Sequence, residues 1–191
     1  MSTLGLTKET ATKNVEVFQL IMETAQGGFT LDETVLAAGA TVRAGTVIGF
    51  DEATRKAKVG KIGVLQAAAL NTATTYRVLK GHNLAVGMTV NLAGGTARAL
   101  TAVNTADPNY DEFTVGTTIG VAAAAGDSLF VVDDGFNKAK GLLMEDLLIP
   151  ASGLVETLSV VIRGTVYERR IPPVAAAVKA LMPNIIFSQS F

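Results

Sequence analysis

The chain has 191 residues, 49% of them hydrophobic and 17% charged, with a net charge of −1 and no cysteine. The balanced charge argues against a nucleic-acid partner, and the lack of cysteine excludes disulfides, thiolate metal sites and cysteine nucleophiles. The charged fraction lies below the roughly 25% typical of soluble domains, and the mean hydropathy is +0.38. We therefore expect part of the surface to be reserved for contact with other protein.

The first apolar segment follows a polar leader. Residues 1–14 lack the continuous apolar core of a signal peptide, so we expect no secretion signal. Val15, Phe18 and Met22 then fit helical spacing, whereas Val15 and Val17 opposite Phe18, Leu20 and Met22 fit a strand buried on both faces. The periodicity therefore does not distinguish a helix from a strand in the segment that ends at the turn at residues 27–28.

The middle of the chain consists of short β-branched runs separated by glycine. Runs of this kind without intervening helical segments indicate antiparallel β structure rather than alternating β and α elements. The longest mainly apolar run without a charged residue, residues 113–126, is shorter than the about 18 residues that a membrane-spanning helix needs, so we expect no membrane partner. The predicted strands cover residues 41–50, 57–65, 74–79, 88–92, 97–103, 112–117 and 128–132.

The last third combines strands with one helix. Pro172 and Pro173 precede residues 174–182, and Pro183 ends the segment. The apolar residues that share one helical face are Val174, Val178, Leu181 and Met182. The predicted fold class is therefore mainly β with one C-terminal helix. The strands expected here cover residues 141–144, 157–162, 165–170 and 185–187.

The sequence offers little for catalysis. Its single histidine, His82, lies in a turn-like segment, and a nucleophilic relay would need a serine held beside that imidazole. Gly60 and Lys61 lack the spacing of a phosphate-binding loop, and Gly94 with Gly95 indicates a hairpin turn. We therefore expect no catalytic residue, no bound cofactor and no enzymatic activity.

Charged residues also fail to form a clear site. Asp133 and Asp134 are adjacent and lack the spaced acidic loop that supplies six or more oxygens to calcium, so we expect no metal site. Acidic residues are interspersed among the basic residues near the C-terminus, which favours a solvated or subunit-pairing face over a phosphate-binding one. These basic residues are Lys138, Lys140, Arg163, Arg169, Arg170 and Lys179.

Several short segments carry a family resemblance. The chain resembles the tailed-phage head decoration proteins of the lambdoid type in a glycine-containing strand, a later strand that ends in Glu and Asp, a strand with an Arg-Gly step, and a final helix followed by a strand. These segments are residues 42–49, 58–60, 140–146, 160–166 and 174–187.

The resemblance implies a virion structural protein without catalysis. Such proteins form β-rich bodies on the exterior of an expanded capsid, commonly as homotrimers, and bind the major capsid protein; they are made in the host bacterial cytoplasm. The resemblance implies three parts: an N-terminal capsid-binding arm at 1–28, a discontinuous small β-barrel or β-sandwich body at 29–65 and 137–191, and an inserted β-barrel at 66–136 similar to those of phage head fibre proteins. The expected capsid-binding residues are Val15, Val17, Phe18, Leu20 and Met22.

A second interpretation comes from another class of protein. The inserted barrel could belong to a glycan-binding or ligand-binding module with a site around Tyr76, His82 and Tyr110. Sugar sites generally need exposed aromatic side chains. The chain has no tryptophan and three tyrosines, which disfavours this alternative.

Overall fold

The structure is a computed structural model that describes residues 16–25, 28–32, 38–131, 139–150 and 157–189. Within these ranges the chain is mainly β with one short α-helix, which confirms the prediction of a mainly β fold with one C-terminal helix. The strands are β1 (Phe18–Thr24), β2 (Thr30–Leu31), β3 (Thr41–Val42), β4 (Val47–Asp51), β5 (Lys56–Val59), β6 (Ile62–Val64), β7 (Thr75–Leu79), β8 (Thr89–Asn91), β9 (Arg98–Asn104), β10 (Tyr110–Val115), β11 (Ser128–Val131), β12 (Gly141–Leu143), β13 (Leu147–Leu148), β14 (Val160–Tyr167) and β15 (Ile185–Ser188).

A seven-stranded sheet forms the first unit. Its order is β1-β14-β12-β4-β5-β2, and β15 pairs with β14 in parallel, on the opposite side from β1. The pairs β1–β14, β14–β12, β12–β4 and β4–β5 are antiparallel. Strand β1 therefore lies at one edge of this sheet, and the ambiguous first apolar segment is a strand rather than a helix.

A six-stranded sheet forms the second unit, in the order β6-β11-β8-β9-β10-β7. Its two end strands meet at a single bridge between Leu65 and Val78, supported by the bond that the Gln66 N–H donates to the Arg77 carbonyl at 2.8 Å. Among the described residues this sheet curls without a continuous closing ladder, so it is not a closed barrel. The turn between β8 and β9 contains Gly94 in the left-handed region at φ 79°, in agreement with the predicted hairpin.

The two sheets share a hydrophobic core. Ile62 and Val64 of β6 lie in the same buried cluster as Val47 and Leu142 of the first unit and Val178 of the helix. Each unit also has a cluster of its own. One surrounds Tyr76, Phe113 and Leu129, and the other surrounds Phe29, Ile48 and Val160.

The helix is shorter than the predicted segment 174–182. Helix α1 spans Ala176–Lys179, and the chain continues with tighter three-residue bonds from the Leu181 and Met182 N–H groups to the carbonyls of Val178 and Lys179. At its N-terminal end the cap residue Ala175 is extended, at φ −67° and ψ 152°, so helical geometry does not reach residues 174 and 175. Val178 and Met182 are buried as the helical spacing predicted, whereas Leu181 is exposed.

The sheets divide the chain at slightly different places from the predicted parts. Strand β6, within the part expected to belong to the body, pairs with β11 and so belongs to the six-stranded sheet. Strand β1, within the part expected to be an arm, is a paired strand of the seven-stranded sheet. The division into arm, body and insertion remains a prediction.

Candidate interaction surface

Strand β1 is an irregular edge strand. It pairs with β14 with register shifts between Phe18 and Leu20, between Ile21 and Glu23, and between Glu23 and Thr24. A Cβ on Gly164 of β14 would lie 2.3 Å from the Leu20 carbonyl oxygen, so the two backbones can meet there only because residue 164 has no side chain. Bulges of this kind break the strict alternation of inward and outward side chains.

Three consecutive apolar side chains of β1 are exposed. Leu20, Ile21 and Met22 are 52%, 41% and 59% exposed. A regular half-buried strand would turn the middle one of three consecutive residues toward the opposite face from its neighbours. We call Leu20, Ile21 and Met22 the β1 patch.

The patch continues across the sheet. Leu20 is in register with Thr165 of β14, and Thr165 is in register with Ile186 of β15. Directly opposed residues on paired strands project to the same face, so Leu20 and Ile186 lie in one row with Thr165 between them. Ile186 is 64% exposed, and Leu181 just before β15 is also exposed. Several exposed apolar side chains grouped on neighbouring strands are typical of sites that contact another molecule.

The structure separates the five residues that were expected to bind the capsid. Leu20 and Met22 are exposed, Phe18 is buried in the shared core, and Val17 is half-buried against that core. Val15 lies outside the described residues. The Val17 carbonyl accepts the Tyr167 N–H at 2.9 Å, so this end of β1 is held to the body.

Two members of the surface were missed from the sequence. Ile186 lies between Ile185 and Phe187, and strand alternation alone would have placed it opposite those two residues, on the outward face. Ile21 carried no such signal, because regular alternation places it away from Leu20 and Met22. Leu20 and Ile21 pair with consecutive residues of β14 without a register shift, so they project to opposite faces, and both faces of β1 are open at this point.

A buried polar cluster lies at the end of the β7 and β10 strand pair. His82 Nε2 is 2.9 Å from Asp111 Oδ2, and the other oxygen of Asp111 accepts a bond from Lys80 Nζ. His82 Nδ1 accepts the Leu84 N–H at 3.2 Å, so the ring carries its proton on Nε2 and donates it to Asp111. The side chains of His82 and Asp111 are only 9% and 10% exposed.

The electrostatics of this cluster favour a neutral imidazole. Burial lowers the pKa of His82, an effect that the hydrogen bond and charge of Asp111 partly oppose. The ring edge meets Phe113 at a centroid distance of 5.0 Å. The contacts that hold His82 in this cluster involve no serine, so they do not form the nucleophilic relay for which His82 was considered.

The tyrosines of the alternative ligand site are not grouped on the surface. Tyr76 is 1% exposed, and its hydroxyl donates to the Ala73 carbonyl at 3.0 Å. Tyr110 is half-buried, with the Arg77 guanidinium 5.1 Å from its ring centroid. Of Tyr76, His82 and Tyr110, only Tyr110 therefore offers ring surface to a ligand.

A cleft of about 490 Å3 lies beside strands β4 and β5 and reaches Ile62 of β6. Its buried lining includes Val47 and Ile62, and its charged residues include a pair in which Lys56 Nζ lies 3.6 Å from Asp32 Oδ2. The Ala53 N–H donates to Asp51 at 2.9 Å, and this bond lowers the pKa of that carboxyl. Asp32 and Asp51 at the rim of the cleft therefore both have partners within the chain.

The other residues considered from the sequence either make contacts within the fold or lie outside the described residues. Gly60 donates its N–H to the Val47 carbonyl at 2.8 Å, and Lys61 is buried, so this pair forms part of the sheet connection. Arg170 lies over the Tyr167 ring at 4.3 Å, and Lys179 pairs with Glu168. Asp133, Asp134 and Lys138 lie outside the described residues.

The described residues offer neither a metal cluster nor a membrane-spanning helix. They contain no group of three or more His, Cys, Asp or Glu side chains that could hold a metal ion. None of the helices among them is long and apolar enough to cross a membrane. Comparison with known proteins found no matching family model, no matching curated protein and no matching solved structure.

Proposed function

We propose that the protein is a virion structural protein that binds the outer surface of a phage capsid, as a decoration or head fibre protein. The resemblance of its strand motifs to lambdoid decoration proteins suggests this class. The observation that carries the proposal is the β1 patch, because three consecutive apolar side chains are exposed on an edge strand at the start of the described chain.

Burial of these side chains against a partner would be energetically favourable. Burying a Leu, Ile or Met side chain fully is favourable by roughly 1.5–3 kcal/mol, and an edge strand keeps such side chains accessible from the side. Phe18 anchors β1 in the core while Leu20 and Met22 remain outside. Strand β1 is thus held by the body and presents its apolar side chains to a partner, for which we propose the major capsid protein.

The proposal is tested by co-sedimentation with expanded, undecorated capsids of the source phage. The wild-type chain should pellet with capsids at a fixed stoichiometry. The double substitution Leu20→Ser and Met22→Ser should weaken this binding at least about tenfold, because each lost apolar contact is worth about a kcal/mol or more. Deleting residues 1–28 is a less direct test, because it removes Phe18 from the core.

A matched control distinguishes a specific role of the β1 patch in binding from a general effect of losing an exposed apolar side chain. Leu70 is 73% exposed and lies in the six-stranded unit, so Leu70→Ser should leave capsid binding unchanged. Equal loss in both variants would show nonspecific adhesion, and no loss in either would refute the proposed surface. Light scattering of the free protein tests the proposed homotrimer, which a monomeric mass would contradict.

A further inference from the structure

The loop that follows β7 lies next to the buried polar cluster and approaches the other unit at Gly81. A Cβ on Gly81 would lie 3.3 Å from Pro173 and 3.5 Å from Pro172, and a Cβ on Gly63 of β6 would lie 3.6 Å from the His82 Cβ. A small cavity at the same junction is lined by residues of both units, including Gly81, Asn83 and Val174. The position of His82 therefore bears directly on the contact between the units.

We propose that Lys80, Asp111 and His82 form an acid-sensitive latch that holds the 81–84 loop against Pro172 and Pro173. The inference is independent of the partner proposed above. When the ring is neutral, His82 donates to Asp111 and accepts from the Leu84 N–H. A proton added at Nδ1 removes the acceptor, so the bond from Leu84 has to break.

The surroundings of the ring determine how the latch responds. The charged groups that act on His82 are Asp111 of β10 and Lys80 at the end of β7; Gly63 of β6 and the two prolines bring no charge. Lys80 Nζ also donates to the Thr105 carbonyl at 3.2 Å and shares Asp111 with the ring. A protonated ring would therefore share one carboxylate with a lysine in a largely buried site.

The direction of the pH effect follows from the burial of His82. Because burial lowers the pKa of His82 below 6.5, the open loop binds a proton more readily than the closed loop. The closed state is favoured above pH 6.5 and is progressively lost as the pH falls through the folded pKa. Within that window the opening constant rises by up to about tenfold for each pH unit.

The test is a nuclear magnetic resonance titration of the full chain from pH 8 to pH 4.5. His82 is the only histidine, so its ring signal is unambiguous. We expect its midpoint below 6.5, with the Leu84 amide exchanging faster and the Val174 amide shifting at the same midpoint. A midpoint at or above 6.5, or a Val174 signal that stays unchanged while His82 titrates, would overturn the latch.

Two substitutions provide the matched controls. His82→Gln keeps a donor for Asp111, and His82→Asn keeps an acceptor for the Leu84 N–H, and neither titrates in this range. The response of Val174 to pH should disappear in both. Its persistence in either folded variant would assign the response to another group and reject the proposal. The wild-type titration still decides for or against the latch if one variant does not fold.

Discussion

Leu20 of β1 and Ile186 of β15 are both in register with Thr165 of β14, and their exposed side chains form one row across three strands. The two residues come from opposite ends of the chain. The row therefore joins the predicted attachment strand to the C-terminal strand. A partner that contacts Leu20 along this face would meet Ile186 as well.

Ile186→Ser should consequently weaken capsid binding without damaging the fold. The side chain is 64% exposed, so its loss should change the free energy of unfolding by no more than about 0.5 kcal/mol. Co-sedimentation and denaturant unfolding check the two parts. Leu148→Ser, at a similarly exposed position on β13, is the control and should bind normally. Normal binding of the Ile186 variant would restrict the surface to β1.

Leu142→Ala should destabilise the protein by about 2–4 kcal/mol, through lost burial and the cavity left behind. Leu142 is fully buried in β12, where it pairs with Val47 and Val161 and belongs to the core shared by both sheets. Denaturant unfolding measures the effect. A loss below about 1 kcal/mol would show that the site relaxes around the smaller side chain.

Gly164→Ala should displace β1 from its neighbour. The new Cβ would lie 2.3 Å from the Leu20 carbonyl oxygen, and moving backbone away from such a clash costs about 1–3 kcal/mol. Gly116→Ala is the matched control, since its Cβ would meet only Thr101 at 3.8 Å. Denaturant unfolding should show a clear loss for the first variant and a change within about 0.5 kcal/mol for the second. Equal stabilities would mean that β1 shifts freely.

Asp111→Asn should lower the pKa of His82 further, because the carboxylate is the group that opposes the effect of burial. It should also cost about 1–3 kcal/mol in stability, since Lys80 loses its charged partner in a mostly buried site. The histidine ring signal reports the first effect and denaturant unfolding at pH 8 reports the second. A raised histidine pKa would contradict the assigned charge of Asp111.

The strands were predictable from the sequence because β-branched runs between glycines leave few alternatives. The runs at 74–79, 97–103 and 128–132 correspond to β7, β9 and β11 to within one or two residues. The pairing of the strands was harder to predict from the sequence. Nothing in the segment 57–65 marks the point at which the chain leaves β5 and enters the other sheet at β6.

The candidate surface was predicted in part. Leu20 and Met22 are exposed, as attachment to a partner would require, whereas Phe18 belongs to the core. The register shift between Phe18 and Leu20 turns their side chains to opposite faces of the sheet. Such bulges depend on contacts between segments far apart in sequence, here β1 and Gly164. The pattern of one segment alone does not contain that information.

The core shared by β6, β12 and α1 has a consequence for how the protein unfolds. Ile62 and Val64 bury their side chains against residues of the other sheet, so neither sheet keeps a complete interior once the other is lost. The two sheets should melt together in a single cooperative transition rather than as independent modules. Excising the six-stranded part would therefore leave a remnant whose uncovered apolar interior makes it prone to aggregation.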